Sequence, residues 1–326
     1  MKIYKHAVKK ILMITLSNIG DVVLTLPVLR VLKREFPEAD ITVMTGKNTK
    51  ELFEIDPEVS DIITYNKHTS LSEKLKLGLE MRKKGFDLVV DLRNSLFPLL
   101  TGARYNSPLF LRTKTLRPHK IDKHLSRLSV IGIDVRDAPF SILVTANDKS
   151  RVRSMLDELD ISTADKMVAI AAGAKSHIKR WPVAGFIDIC ERLNKERGLK
   201  IVLVGEGNDK AINKKIAEAG LKDVYDLTGR TNLRELAYLL SQCSLLVTND
   251  SAPLHIGSAV GVPTVAIFGP TDYKKYGPLS HKSKVARIER SCSPCEKALC
   301  RFGIECIQQI PPDDVMWAID NILGTR

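Results

Sequence analysis

The residues best suited to hold a diphosphate lie at positions 249–255, directly after an apolar run. The Ser251 hydroxyl, the backbone N–H groups of Ser251 and Ala252, and the His255 imidazole would meet phosphate oxygens at the beginning of a helix, where N–H groups lack intrahelical partners. Asp250 is unsuited to phosphate, because it is itself an anion, but it suits sugar hydroxyls as an acceptor. This pattern predicts a binding segment for a sugar joined to a diphosphate. The alternative for His255 is an ordinary core histidine.

A second loop with charge suited to phosphate begins at Gly173. Gly173 and Ala174 are small enough for a ligand to approach the backbone. Lys179 and Arg180 then supply positive charge just before a predicted helix whose first turn accommodates proline. Cations and helix N–H groups stabilise the negative charge that develops on a departing diphosphate, so this loop is predicted to assist catalysis through Lys179. The alternative is a solvated basic turn with Trp181 as an anchor of its domain.

Asp21 follows the first apolar run of the chain and lies at the predicted start of a helix, after the tight turn that Gly20 permits. A carboxylate here would act as a general base and take the proton from an acceptor hydroxyl as that hydroxyl attacks a sugar. Ser17, Asn18 and Gly20 of the same loop are predicted to contact the acceptor. The alternative role of Asp21 is to cap the helix, since Asp is among the preferred N-cap residues.

Two further loops are expected to complete the donor site. Residues 205–209 follow a predicted strand and open a helix, yet they lack the full G-x-G-x-x-G pattern of a dinucleotide site. Glu206 is predicted to bind hydroxyls of a ribose or a sugar, and Asp209 either does the same or caps the helix. Residues 268–272 follow another predicted strand and would close the same site.

The chain is basic, with a formal net charge of +12, and one stretch concentrates this charge. Between residues 104 and 127, seven cations stand against the single carboxylate of Asp122, a net charge of +6. Clustered cations steer and bind anions, so the stretch predicts an anionic acceptor contacted by Arg117, Lys120 and Lys123. The alternative is a solvated loop and helix face. The seven cations are Arg104, Arg112, Lys114, Arg117, Lys120, Lys123 and Arg127.

Four of the six cysteines lie within the short segment 292–306. Thiols at such spacings fit a tetrahedral structural zinc site, and reduced or redox-variable thiols are the alternative. No base lies nearby in the sequence, so a structural role is favoured over catalysis. The four residues are Cys292, Cys295, Cys300 and Cys306.

Short β-branched runs alternate with amphipathic segments along the chain, a pattern typical of strand–helix–strand units on a parallel sheet. A mixed stretch at 134–164 separates two such sets. We therefore expect an α/β chain of two Rossmann-like, doubly wound domains, residues 1–158 and 159–326, which face each other across a cleft. The predicted strands are 11–16, 41–44, 62–65, 88–90, 167–171, 201–204, 245–248 and 264–268. The predicted helices are 22–35, 71–84, 183–197, 209–219, 232–240 and 312–323.

Composition excludes other classes of protein. Hydrophobic residues make up 44% and charged residues 27% of the chain, an ordinary globular balance. No uncharged apolar stretch approaches the roughly 18 residues of a membrane span, and polar residues interrupt the apolar run near the N-terminus, unlike in a signal peptide. Clustered cysteines fit a reducing compartment. We expect a cytoplasmic protein that can rest on a membrane surface.

Taken together, these motifs resemble those of the bacterial heptosyltransferases of glycosyltransferase family 9, nearly from end to end. The cysteine segment is most similar to that of the heptosyltransferase II group. The chain departs from the family pattern at Ala252, where glycine is common, and at Ala171-Ala172, where His-Pro is common. The segments that carry the resemblance are Leu16-Ser17-Asn18-Ile19-Gly20-Asp21-Val22-Val23-Leu24-Thr25-Leu26-Pro27, Gly173-Ala174 with Lys179-Arg180-Trp181-Pro182, Asp250-Ser251-Ala252-Pro253-Leu254-His255, and Phe268-Gly269-Pro270-Thr271-Asp272.

The resemblance implies a GT-B fold, an ADP-heptose donor, an acceptor in the inner core of lipopolysaccharide, and inversion at the anomeric carbon without a catalytic metal or other cofactor. It also implies that Asp21 is the base, that Lys179 contacts phosphate and that residues 250–255 bind the donor. Two other functions are kept as alternatives: a nucleotide-sugar epimerase of the same architecture, and a basic nucleic-acid-binding protein. Against the second, aromatic residues make up only 6% of the chain, so platforms for base stacking are scarce.

Overall fold

A computed structural model describes residues 3–108, 118–162 and 164–324. The chain forms two compact units that meet in sequence between Leu143 and Val144. Each unit is built on one sheet in which every pairing of neighbouring strands is parallel. Helices connect the strands, as parallel pairing requires.

The first unit has a five-stranded sheet in the order β3-β2-β1-β4-β5. The chain therefore starts in the middle of the sheet, winds outward to one edge and then crosses back to the other, which is the doubly wound arrangement. Its strands are β1 Lys10–Ile14, β2 Asp40–Thr45, β3 Asp61–Thr64, β4 Leu88–Asp91 and β5 Tyr105–Asn106. Its helices are α1 Ile19–Val23, α2 Leu26–Glu35, α3 Leu71–Lys84, α4 Phe97–Thr101 and α5 Lys120–Val130.

The second unit has a six-stranded sheet in the order β11-β10-β9-β6-β7-β8, so its winding reverses between β6 and β9. Its strands are β6 Met167–Ala171, β7 Lys200–Leu203, β8 Val224–Asp226, β9 Leu245–Asn249, β10 Thr264–Ile267 and β11 Lys284–Ala286. Its helices are α6 Ala146–Asp157, α7 Val183–Glu191, α8 Lys210–Ala217, α9 Leu233–Ser241, α10 Ala252–Val260, α11 Tyr273–Tyr276, α12 Glu305–Gln308 and α13 Pro312–Leu323.

The central strands are apolar on both faces because helices cover both sides of each sheet. All five residues of β6 and of β9 are buried, as are four of the five residues of β1. The core of the second unit also includes Trp181 and Phe186, whose rings meet edge to face at 5.0 Å between centroids. This packing fixes the strand ends from which the candidate site loops emerge.

The fold class predicted from the sequence is confirmed, and α3, β6 and α13 have the predicted bounds. The helix predicted at 22–35 is instead two helices, α1 and α2. Pro27 has no N–H to continue the first helix and lies at the beginning of the second, where no N–H is needed. The Thr25 hydroxyl donates to the Val22 carbonyl oxygen at 2.6 Å, which gives this carbonyl a hydrogen-bond partner at the end of α1.

The boundary between the units precedes helix α6, whereas the sequence placed it after this helix, at 158/159. The mixed stretch 134–164 contains α6, which begins with a reciprocal cap between Thr145 and Asp148. The buried Asp148 also pairs with Arg234 of α9 at 3.0 Å, and this contact ties α6 to the second unit.

Candidate functional site

The loops that the sequence singled out in the second unit emerge at the carboxyl ends of β6, β7, β9 and β10. β6 and β9 are neighbours in the sheet although the chain passes through β7 and β8 between them. A crevice opens at such a reversal, because the helices after the two strands lie on opposite faces of the sheet. Ligands of doubly wound domains bind in this crevice, so the reversal between β6 and β9 is the candidate ligand site.

Asn249, the last residue of β9, joins the loops after β6 and β9. It is fully buried. Its Nδ2 donates to the Ala172 carbonyl at 2.8 Å, and its Oδ1 accepts the Trp181 N–H at 3.1 Å. Trp181 in turn donates its indole N–H to the Ile310 carbonyl at 2.9 Å. Trp181 therefore anchors the second unit, the role that the alternative gave it.

Lys179 and Asp250 form an ion pair across the reversal, with Nζ and Oδ2 2.6 Å apart. The Asp250 side chain is 5% exposed and the Lys179 side chain 32% exposed. The Lys179 ammonium also lies 6.0 Å from the centroid of the Tyr276 ring, at the end of α11. The sequence assigned Lys179 to phosphate and Asp250 to sugar as separate contacts. The structure instead brings them together as an ion pair, in which the ammonium is partly exposed to solvent and the carboxylate is buried.

Helix α10 begins beside this pair. Ser251 is its N-cap residue, and the Leu254 N–H bonds the Ser251 carbonyl at 3.2 Å. Pro253 has no N–H, so the N–H groups of Ser251 and Ala252 are the ones that the helix start offers to an anion. The Ser251 hydroxyl lies 3.4 Å from that of Thr248. His255 is buried in the second turn of this helix.

The loops after β6 and β7 pack closely. A Cβ atom at Gly173 would lie 2.0 Å from the Asp209 Oδ1, so only glycine fits. The other Asp209 oxygen accepts the Glu206 N–H at 3.0 Å. Asp209 therefore organises its own loop, and Glu206 is left exposed to solvent. Arg180 donates Nε–H to the Ala174 carbonyl at 2.7 Å, which fixes the guanidinium next to the same loop.

The cysteine segment packs onto the loop after β10. The N–H groups of residues 295 and 296 both reach the Pro270 carbonyl at 3.0 Å. The four cysteines line one cavity of about 150 Å³, together with apolar side chains such as those of Leu299 and Phe302. The Cys300 Sγ accepts two backbone N–H groups at 3.3 Å. Burial and the neighbouring thiols raise the pKa of Cys306.

The structure does not support the predicted zinc site. Within residues 3–108, 118–162 and 164–324, no group of three or more His, Cys, Asp or Glu side chains could hold a metal ion. The four thiols differ in burial, with Cys306 buried and Cys292 exposed. All six cysteines are free thiols.

In the first unit, Asp21 lies in the first turn of α1, in the loop that follows β1. The N-cap residue of that helix is Asn18, so the capping role considered for Asp21 is wrong. The Asn18 side chain donates to the Asp21 carboxylate at 2.9 Å. This contact orients a half-buried carboxylate at the carboxyl edge of the sheet. Ser17 and Gly20 belong to the same loop.

A second polar turn, which the sequence did not single out, follows β4. Ile14 of β1 and Asp91 of β4 are partners in the sheet, so this turn begins beside the loop of Asp21. The buried Asp91 carboxylate accepts the N–H groups of Arg93 at 2.8 Å and Ser95 at 2.6 Å, and the Ser95 hydroxyl at 2.9 Å. Burial raises the pKa of Asp91 against these bonds.

The Asp91 turn presents a cation. The Arg93 guanidinium lies 4.6 Å from the centroid of the Tyr65 ring, a stacking contact that leaves its edge N–H groups for an anion. Arg93 follows the predicted strand 88–90 by three residues, so the rule that ligand-binding side chains follow strand ends would have located it.

The basic stretch divides into buried and accessible parts. Arg127, predicted as one of its surface cations, is buried and donates to the Pro108 carbonyl at 2.9 Å and to the Asn94 side chain. His124 is also buried, and burial together with nearby cations lowers its pKa to about 3. Lys120 is half-buried and Lys123 exposed, both near the beginning of α5. Arg112, Lys114 and Arg117 lie outside the described residues.

Comparison with known proteins assigns this arrangement to a family. The model of "Glycosyltransferase family 9 (heptosyltransferase)" matches residues 109–304, more than half of the chain. The chain belongs to glycosyltransferase family 9. It is 28% identical over 346 aligned positions to lipopolysaccharide heptosyltransferase 2 of Escherichia coli strain K12, and the match covers 96% of this chain and 98% of that protein.

Solved structures of other family-9 enzymes have the same fold. A family 9 glycosyl transferase from Veillonella parvula DSM 2008 matches with a TM-score of 0.87 at 23% identity, covering 100% of this chain and 99% of that one. The E. coli ADP-heptose lps heptosyltransferase II matches with a TM-score of 0.76 at 25% identity, covering 96% and 98%. The GT-B fold and the enzyme class expected from the sequence, a glycosyltransferase, are thereby confirmed.

These comparisons do not assign roles to individual residues of this family-9 enzyme. The roles predicted for the site residues therefore stay predictions. In the described part of the chain, no helix is both long enough and apolar enough to cross a membrane.

Proposed function

We propose that this glycosyltransferase transfers heptose from ADP-heptose to a sugar of the lipopolysaccharide inner core. The observation that carries the proposal is the Lys179–Asp250 pair beside the beginning of α10, at the reversal of the second sheet. One end of this pair suits phosphate and the other suits sugar hydroxyls, as a nucleotide-sugar donor requires. The relatives named lipopolysaccharide heptosyltransferase 2 and ADP-heptose lps heptosyltransferase II support the choice of sugar and acceptor.

The donor diphosphate is bound by the second unit. The ammonium of Lys179, the guanidinium of Arg180 and the N–H groups at the beginning of α10 take up its charge. The Ser251 hydroxyl and His255 are its further contacts. As the bond from the anomeric carbon to the diphosphate breaks, the developing charge falls on groups that the fold already holds in place, which is the efficient form of electrostatic catalysis. This set of positive groups makes no demand for a catalytic metal.

The donor sugar and ribose are bound by acceptors. Asp250 accepts from a sugar hydroxyl with the oxygen lone pairs that Lys179 leaves, and the exposed Glu206 accepts from ribose or sugar hydroxyls. Gly173 and Ala174 form the backbone wall against which the donor lies. Ala252 adds a methyl group next to the diphosphate, yet it keeps the backbone N–H that binds the anion.

The acceptor is activated by the first unit. Asp21 takes the proton of the acceptor hydroxyl as its oxygen attacks the anomeric carbon, and ADP leaves from the opposite side, so the configuration inverts. The Asn18 amide orients the carboxylate, and Ser17 and Gly20 line the same loop. Binding of an anionic acceptor is assigned to Lys120 and Lys123, to Arg117, and to Arg93, which the structure adds.

The division of labour between the units follows from these assignments. The first unit binds acceptor and the second binds donor, with the cysteine segment as a structural part of the second. The enzyme works at the cytoplasmic face of the inner membrane, where a lipid-linked sugar acceptor is presented, and it contacts that membrane peripherally. No nucleic acid is required.

A transfer assay with ADP-heptose and a lipid A–Kdo acceptor tests the proposal. Asp21→Asn should lower kcat by about 10²–10⁴-fold, the usual contribution of a general base, while the affinity for ADP-heptose stays unchanged. The matched control Asp157→Asn changes an exposed carboxylate of α6 and should be neutral. Wild-type turnover in Asp21→Asn would remove Asp21 from the mechanism.

A second arm of the assay separates the alternative functions. Product formed from the donor alone, without acceptor, would indicate an epimerase and contradict the proposal. The family match favours transfer. Transfer with other nucleotide sugars at equal or better kcat/KM would contradict the choice of donor.

A further inference from the structure

Helices α3 and α4 of the first unit carry five leucines whose side chains face solvent. Leu71, Leu75 and Leu79 lie on α3, Leu96 is the N-cap residue of α4, and Leu99 lies within α4. Their exposed fractions are 74%, 46%, 57%, 66% and 65% in that order. Single exposed apolar residues are normal on soluble proteins, but neighbouring ones indicate a binding surface. We call these five residues the leucine face.

The two helices that carry the leucine face pack against each other. Residues spaced by four lie on one side of a helix, so Leu71, Leu75 and Leu79 form a single stripe. α4 packs directly against α3, because the absent side chain of Gly78 admits Leu100: a Cβ at Gly78 would lie 2.6 Å from the Leu100 Cδ1. This contact joins the two helices that carry the exposed leucines.

Cations surround the leucine face. α3 carries five basic residues against two acidic ones, and one of the acidic residues, Glu73, is used in the reciprocal cap with Ser70. Lys76 and Lys83 are exposed on α3, and Lys67 is exposed just before it. Across the parts of the chain that the structure describes, none of these three lysines forms a salt bridge, whereas Lys84 is paired with Asp61.

We propose that the leucine face docks the enzyme on an anionic lipid surface. Exposed apolar side chains enter the boundary between headgroups and acyl chains, while the neighbouring lysines meet the anionic headgroups. A second copy of the chain fits less well, because pairing two leucine faces across a two-fold axis would bring their basic rims together. The inference deepens the proposed function by naming the surface that contacts the membrane, and lipid binding is measured without turnover.

Sedimentation of the full chain with vesicles tests this surface. The wild type should bind vesicles of phosphatidylcholine with phosphatidylglycerol, and bind pure phosphatidylcholine vesicles much less. Leu75→Gln with Leu79→Gln should lower the partition coefficient by about tenfold or more, since two apolar anchors are lost on a helix that glutamine still favours. The matched control changes two exposed leucines elsewhere, Leu143→Gln with Leu279→Gln, and should bind as the wild type does.

A charge variant separates the two parts of the surface. Lys76→Gln with Lys83→Gln should weaken binding to the anionic vesicles and reduce its salt dependence. Lys215→Gln with Lys222→Gln, which changes exposed lysines of the second unit, should have little effect. Equal vesicle binding by the leucine variant and its control would overturn the proposal, as would failure of the wild type to bind.

Light scattering and a turnover assay separate lipid docking from self-association and from catalysis. A dimer in light scattering that the leucine variant dissociates would assign the face to self-association and overturn lipid docking. Turnover of ADP-heptose with a water-soluble acceptor fragment should be the same in the wild type and the leucine variant. Absence of that turnover in both, with vesicle binding intact, would refute the proposed function and leave the docking surface standing.

Discussion

Replacing Lys179 by methionine removes the cation from its pair with Asp250 and keeps most of the apolar length of the side chain. The Asp250 carboxylate is 5% exposed, so the variant leaves a buried negative charge whose ammonium partner is gone. Loss of one partner from a fully buried pair costs about 3–5 kcal/mol, and a surface pair is worth at most about 1 kcal/mol. Lys179 is about one-third exposed, so we expect Lys179→Met to lower the free energy of unfolding by about 2 kcal/mol.

The same substitution should have a separate effect on catalysis. Removing one group that stabilises developing negative charge typically costs about 10²–10³-fold in rate, so kcat/KM for the donor should fall by this factor. Asp250→Asn keeps the shape of the side chain and loses a charged acceptor, a loss of about 1.5–3 kcal/mol or roughly 10–150-fold in kcat/KM. If each residue contacts the donor, the double variant should lose at least as much activity as either single variant.

Relative to Lys179→Met alone, the double variant should therefore gain stability and lose activity. Lys179→Met with Asp250→Asn has no unpaired buried charge, so it should be more stable than Lys179→Met alone by about 1–2 kcal/mol, although its activity is lowest. Urea unfolding and donor-dependence kinetics on all four proteins measure both quantities. A Lys179→Met enzyme with kcat/KM within about threefold of the wild type would refute the reasoning, because Lys179 would then serve only as the partner of Asp250.

A matched control is the exposed pair Lys214–Glu218 on the same unit, with Nζ and Oε1 3.5 Å apart. Lys214→Met should change the free energy of unfolding by less than about 0.5 kcal/mol and leave turnover unchanged. A similar loss of stability in both methionine variants would show that the loss of Lys179 acts through something other than the buried carboxylate.

Three more substitutions test the supporting structure. Asn249→Ala should lower the free energy of unfolding by about 2–4 kcal/mol in urea melts, because it strands two buried backbone groups, whereas Asn194→Ala, at a single part-buried bond of 3.3 Å, should cost about 1 kcal/mol or less. Gly173→Ala should raise KM for the donor at near-normal kcat, since its Cβ would displace Asp209, and an unchanged KM would show that the loop does not touch the donor. Burial and nearby cations lower the pKa of His124 to about 3 in the folded chain, so protonation of the unfolded chain should remove about 1 kcal/mol of stability between pH 7.5 and 5.5. His124→Asn should lack this share of the pH dependence, and identical pH profiles would contradict it.

Local sequence patterns predicted much of the fold. Helix α3 has the predicted bounds because both of its ends are encoded locally, by the reciprocal cap of Ser70 and Glu73 and by Gly85, whose left-handed backbone ends the helix. The break before Pro27 is also encoded locally, by the proline. The apolar period continues through the break, however, and so it predicted a single helix. The cap of Thr145 and Asp148 is likewise a local signal for the beginning of α6, within the mixed stretch 134–164.

The candidate site was predictable as a set of loops and not as a set of contacts. The rule that ligands gather at strand ends located Lys179, Asp250 and Asp21. This rule does not predict that Lys179 and Asp250 form an ion pair. The two residues are 71 positions apart, and their pairing depends on β6 and β9 being neighbours in the sheet. Burial is equally non-local: Arg127 resembles a surface cation in sequence but is buried, and it donates to the Asn94 side chain and the Pro108 carbonyl.

The Lys179–Asp250 pair also explains how a flexible side chain serves a site that needs fixed charges. A free lysine has about 2 kcal/mol of rotamer entropy to lose when it binds a phosphate. Asp250 holds the ammonium in one place within the fold, and the Ala174 carbonyl does the same for the Arg180 guanidinium. Binding of the diphosphate then requires little further ordering, and its free energy remains available to stabilise the transition state. Lys179→Arg keeps the charge but places it on a longer, planar head away from the position of the ammonium, so it should lower kcat more than it weakens donor binding.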